Sequence, residues 1–115
     1  MFHINREEDA FYFAHLIKQK EASPRELVAQ AIARIEKENP ALNAVIHPRF
    51  EAALKEAETR DFTGKPFGGV PILVKDMGQT LAGEPSTSGS VLLKDTISSQ
   101  TSHYTQKLLD AGFIV

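Results

Sequence analysis

The sequence of 115 residues contains no cysteine. That excludes disulfide staples, thiolate metal sites and a thiol nucleophile. No apolar run approaches the roughly 18 residues that a membrane-crossing helix needs. The N-terminus, Met-Phe-His-Ile-Asn-Arg-Glu-Glu-Asp, is acidic where a secretory signal would be basic and then apolar. A cytoplasmic location with no membrane partner is the expectation. Concentrated positive charge is also missing, since the formal net charge is −2. A nucleic-acid or anionic-lipid binder would carry a basic patch, so no nucleic-acid partner is expected from charge. Several catalytic signatures are absent as well. Gly64 and Gly69 have the spacing of a phosphate-binding loop, but Val70-Pro71 stands where Lys-Ser/Thr is required. There is no G-x-G-x-x-G, no G-x-S-x-G and no S-x-x-K. The four histidines (His3, His15, His47, His103) are scattered and form no H-E-x-x-H pair. Each reads as a surface or partly buried residue rather than a metal ligand.

What is present is a foldable composition, 42% hydrophobic and 24% charged, and a length that suits one small domain. Residues 1–61 read as mostly helical. Asn5 and Glu8 have capping-box spacing ahead of Phe11, Phe13, Ala14 and Ile17. Ser23-Pro24-Arg25-Glu26 is a stronger start signal, with serine at the cap, proline at the first helical position and glutamate at the third. Leu27, Val28, Ala31, Ile32 and Ile35 then make one apolar stripe. Asn39-Pro40 is expected to end that helix, because a residue before proline is pushed out of the α region. Ala44-Val45-Ile46 is a strand candidate, and Phe50 to Arg60 reads as a third helix.

Residues 62–115 read as strand, Gly/Ser-rich loop, helix and the start of another strand. Six of the seven glycines lie between Gly64 and Gly89. Among them Val70-Pro71-Ile72-Leu73-Val74 is a short apolar strand candidate, with Pro71 at its start or on an edge. From Met77 to about Ser98 the chain is rich in turn residues around an apolar island, Val91-Leu92-Leu93. Loops of that length are commonly functional. Ser99 or Thr101 could cap a fourth helix through Leu108 and Leu109, closed by Gly112 in a left-handed conformation. Phe113-Ile114-Val115 then opens an extended segment.

Lys75 is the one residue here whose position suggests chemistry. It follows the Val70–Val74 run and precedes a Gly/Ser/Thr-rich loop, the place where α/β folds hold ligands. Burial there would disfavour the ammonium and free the amine to act as a base. The residues alone leave a second reading open, in which Lys75 ends the strand and reaches water or a carboxylate. Asp76 points to the other side of an extended backbone and reads as a turn-former or cap. Ser88 and Ser90 read as turn residues that shape the neighbouring loop.

The run Gly68-Gly69-Val70-Pro71-Ile72-Leu73-Val74-Lys75-Asp76 resembles the G-(V/I)-P-x-x-x-K-D element of the amidase signature family. Thr87-Ser88-Gly89-Ser90 is similar to the family's T-x-G-S turn, and Leu108 to Val115 to its L-x-x-A-G-A helix end and following strand. Phe113 stands where that pattern more often has alanine. Upstream, Ser23-Pro24-Arg25-Glu26-Leu27-Val28 resembles the S-x-x-E-L-V/T start, and Ile35 to Ala44 the I-x-x-x-N-P-x-L-N-A segment. The matches run in order over nearly the whole chain.

The resemblance implies an α/β fold of roughly four hundred to five hundred residues, a mixed central sheet wrapped by helices. On that expectation residues 1–115 are the N-terminal part of one larger domain. The implied chemistry is hydrolysis of a carboxamide by a Ser–cis-Ser–Lys triad, with neither metal nor cofactor. Only the lysine carries over here, as Lys75. None of Ser86, Ser88, Ser90, Ser98, Ser99 or Ser102 matches the motif of either triad serine. The 115 residues alone are therefore expected to be inactive, needing the remainder of the chain, or self-association, to cover unpaired strands. Two other readings stand beside it. One is a fragment of the glutamine-hydrolysing component of a glutamyl-tRNA(Gln) amidotransferase, which would bring partner proteins and tRNA. The other is a stand-alone, non-catalytic remnant or binding module.

Overall fold

The computed structural model describes residues 8–115. Three helices fill the first half: α1 (Ala10–Lys18), α2 (Pro24–Leu42) and α3 (Phe50–Thr59). The Asn5–Glu8 capping box reaches outside the described residues. The cap of α1 is Asp9, whose carboxylate accepts the Tyr12 amide at 3.0 Å. Helix α2 starts as its sequence predicts, on a reciprocal capping box. The Ser23 hydroxyl accepts the Glu26 amide, and the Glu26 carboxylate accepts the Ser23 amide at 2.7 Å.

The expected stop at Asn39-Pro40 does not occur. Helix α2 runs through Pro40 to Leu42. Proline there removes a single ladder bond in the last turn. The helix ends instead at Asn43, which is left-handed (φ 49°, ψ 41°) and donates its amide to the Asn39 carbonyl at 2.7 Å. The Asn39 side chain then takes the next residues. Its carbonyl accepts the amides of Ala44 and Val45, and its amide donates to the Val45 carbonyl at 2.9 Å. Residues 44–46 form no strand, and the backbone groups of Ala44 and Val45 are bonded instead to one side chain of α2.

The second half contains a 3-10 turn (Val91–Leu93) and α4 (His103–Asp110). Ser102, rather than Ser99 or Thr101, caps α4 by accepting the Thr105 amide at 3.2 Å. Gly112 follows at φ +104° and lets the chain reverse. The two expected strands meet at one parallel bridge, Pro71 with Ile114. It is flanked by Ile72 N–H to Ile114 O at 2.8 Å and Ile114 N–H to Val70 O at 2.9 Å. No longer ladder forms among the described residues, and the mixed sheet is not seen. Two causes are visible: Pro71 lacks a donor, and each segment has a neighbour on one side only. The turn-rich stretch is ordered by an antiparallel bridge, Pro85 with Ile97. Its apolar island stays outside, with Val91 83% and Leu92 91% exposed.

Three small apolar clusters hold these parts together. Val28, Ala53, Ala57 and Ile114 join α2 and α3 to the C-terminal segment. Ala14, Val70 and Phe113 join α1 to the paired segments, and Leu16, Ala22 and Leu27 seal the α1–α2 corner. Phe113 stacks on Phe67 with ring centroids 4.7 Å apart. The two arginines that flank α3, Arg49 and Arg60, fasten the same region. Arg49 donates to Glu56, Glu84 and the Val115 carbonyl, and Arg60 to the carbonyls of Phe113 and Leu109. Burial opposes the charge on Arg49, but the bonds to Glu56 and Glu84 outweigh it and raise its pKa.

Candidate active site

Residues 70–74 run from the buried Val70 outward, and Lys75 emerges at their end, exposed. It lies on the wall of an open cleft of about 610 Å³. The cleft is bounded by Val28, Ile32 and Ile35 of α2, by His47 and by Leu73 and Ile114. Of the two readings left open by the sequence, the structure of this chain shows the exposed one. The Lys75 ammonium has no ion-pair partner among the described residues.

The backbone around Lys75 is held more firmly than its side chain. The Lys75 amide donates to Gln79 Oε1 at 2.9 Å, closing the turn that contains Gly78 at φ +73°. The Asp76 side chain is only 14% exposed. Its Oδ1 accepts the Thr87 amide at 2.7 Å, and its Oδ2 accepts the Thr87 hydroxyl. His47 Nε2 lies 3.1 Å from the same Oδ2. Thr87 opens the Thr87–Ser90 turn, in which Ser90 donates to the Thr87 carbonyl at 2.9 Å and Ser88 and Gly89 both have positive φ. Asp76 thus caps that turn, and Ser88 and Ser90 shape it. Sequence reasoning did not single out His47 or Thr87 for their own chemistry. Thr87 lay inside the T-x-G-S element, whereas nothing local marks His47.

Burial works against ionisation of Asp76, but the bonds from Thr87 and then His47 outweigh it and lower its pKa. A depressed carboxyl pKa contributes stability that is present above the unfolded value, ~3.9, and is lost as pH falls through the folded value. Asp76→Asn is therefore expected to lower the thermal midpoint near neutral pH and to lose that effect as pH falls below the ordinary carboxyl range. Melting curves across that range check it; a deficit unchanged by acid would contradict the ion's role.

No cluster of three or more His, Cys, Asp or Glu able to hold a metal exists among the described residues. Nor does any helix among them have the length and apolarity to cross a membrane. His15 and His103 lie apart from the cleft lining, and His3 is outside the described residues.

Comparison with known proteins places this arrangement. Residues 26–115 match the Amidase family. The chain is 44% identical over 110 residues to a lipoamidase of Enterococcus faecalis, covering 96% of this chain and 15% of that protein. It is 34% identical over 110 residues to a 6-aminohexanoate-cyclic-dimer hydrolase of Paenarthrobacter ureafaciens, covering 94% of this chain and 22% of the relative. A glutamyl-tRNA(Gln) amidotransferase component of Nitratidesulfovibrio vulgaris (strain DP4) is 37% identical over 103 residues, covering 86% and 21%. Among solved structures, 6-aminohexanoate cyclic dimer hydrolase complexed with substrate superposes with a TM-score of 0.84 at 35% identity, covering 93% of this chain and 22% of that one. A bacterial aryl acylamidase of the amidase signature family gives 0.81 at 30% identity, covering 93% and 24%. The chain spans about a fifth or less of the length of the curated relatives just described. These neighbours are compatible with the α/β class, while the described residues show two isolated bridges rather than a sheet. With the family matched over residues 26–115, including the run that ends in Lys75-Asp76, this chain belongs to the amidase signature family.

Proposed function

We propose that these 115 residues form part of an amide hydrolase acting on a carboxamide, with Lys75 as the base of a Ser–cis-Ser–Lys triad. The observation that carries this reading is the family match, which spans the Gly68–Asp76 run and the C-terminal segment bridged to it at Ile114. Neutral Lys75 takes a proton from a bridging serine, which in turn activates the nucleophilic serine. Both serines are supplied by amidase sequence outside these residues, since no serine here fits their motif. Backbone amides of a Gly/Ser-rich loop hold the oxyanion. The base needs no metal, because its task is proton transfer at a positioned amine. A cytoplasmic, cofactor-free enzyme fits this scheme.

Hydrolysis is preferred over the amidotransferase role because identity to the lipoamidase exceeds that to the amidotransferase component, 44% against 37%. The test is a panel of aryl and alkyl carboxamides offered to the complete enzyme and to residues 1–115 alone. The complete enzyme is expected to release acid and amine without tRNA, and the isolated chain to release neither. Turnover by the isolated chain would refute the triad assignment. Turnover of glutamine only, dependent on partner proteins, would favour the transfer role.

A further inference from the structure

The contacts at Asp76 unite three separate stretches of chain: the segment after α2, the end of the Val70–Val74 run, and the Thr87–Ser90 turn. Both oxygens of the carboxylate are engaged, and Thr87 is 7% exposed. The amide of Lys75 is fixed on the other side by Gln79 Oε1. The amide of Lys75 and the side chain of the residue after it, Asp76, are thus both held, while the Lys75 ammonium has no ion-pair partner among the described residues. Such an arrangement suits a side chain whose origin must be fixed while its tip is left to react.

We infer that His47, Asp76 and Thr87 form a positioning latch that fixes the main chain from which Lys75 reaches the reacting serine. This rests on the reading of Lys75 as the triad base. A displacement of about 1 Å at a catalytic group can cost on the order of a hundredfold in rate. Asp76 cannot hold its place by packing alone, because the turn that follows it contains Gly78 and the exposed Met77. Its orientation comes from the Thr87 hydroxyl and amide and from the His47 ring.

The experiment uses pairs of variants in the complete enzyme. Thr87→Val keeps the shape and removes the hydroxyl, whereas Thr87→Ser keeps the hydroxyl. His47→Leu removes the ring donor, whereas His47→Gln keeps a side-chain N–H donor. The latch predicts that Thr87→Val and His47→Leu lower kcat by roughly 10- to 100-fold with KM nearly unchanged. Thr87→Ser and His47→Gln should restore most of it. In a Lys75→Ala background, Thr87→Val should lower the residual rate no further, since its effect is transmitted through the lysine.

Wild-type kcat in both Thr87→Val and His47→Leu, with Lys75→Ala inactive, overturns the latch and leaves the base assignment standing. Wild-type turnover by Lys75→Ala overturns the base assignment, and the latch with it. A further loss in the Lys75→Ala background, or equal losses in the conservative variants, shows that these residues act on stability instead. If Thr87→Val fails to fold, the two variants at the partly exposed His47 decide the question by themselves.

Discussion

Replacing Lys75 with alanine, and separately with arginine, is expected to lower kcat for amide hydrolysis by about a thousandfold or more in the complete enzyme. That corresponds to about 4 kcal/mol of transition-state stabilisation. The arginine variant is the sharper of the two. It keeps the positive charge and a long side chain, but a guanidinium does not give up its proton at working pH. A lysine that served only to attract an anion would be replaced well by arginine. A lysine that must present a neutral amine would not. The structure makes this comparison clean, because the ammonium of Lys75 has no ion-pair partner among the described residues and the side chain is exposed. Its removal should change stability by no more than about 0.5 kcal/mol. Steady-state turnover of a simple aryl amide, beside a thermal melt of each variant, makes the measurement. An arginine variant with near wild-type kcat would end the assignment of Lys75 as the base.

The exposed place of Lys75 at the end of residues 70–74 could be read in the sequence because the pattern around it is local. An apolar run, a lysine and a turn-rich loop lie in direct succession, and the same run carries the family resemblance. The helices were legible for the same reason, since Ser23 and Glu26 cap α2 from three residues apart. Signals separated along the chain were not. His47 and Asp76 are 29 residues apart, and Arg49 and Glu84 are 35 apart, so no periodicity joins them. The expected stop at Asn39-Pro40 failed because a local rule met a stronger contact. Asn39 carries the end of α2 through its own carboxamide, and one missing amide at Pro40 leaves the rest of the last turn intact. The strands expected at residues 70–74 and 113–115 are reduced to one isolated bridge, Pro71 with Ile114. Sheet formation depends on neighbours that lie outside any single segment.

Gly112→Ala is expected to cost about 2–5 kcal/mol of folding stability, a large share of what a small domain has. Two separate penalties add at this residue. The backbone sits at φ +104°, which an L side chain adopts only under strain. A Cβ there would also stand 2.7 Å from the Gly68 Cα and 2.8 Å from its nitrogen, so backbone must move to admit it. Gly64→Ala separates the two. Gly64 has φ +73° but nothing within 4 Å of the added carbon, so strain alone is expected, about 1–2 kcal/mol. Urea melts of both variants measure the difference, with unchanged m values showing that the unfolding reaction is the same. If Gly112→Ala costs no more than Gly64→Ala, the close approach of the α4 terminus to Gly68 is not a determinant of the fold. The larger loss would link stability to the site. Gly112 delivers Ile114 to its bridge with Pro71, and the Gly112 carbonyl accepts the Gly69 amide at 3.0 Å. Both contacts set the course of the chain that leads from Pro71 through Val74 to Lys75.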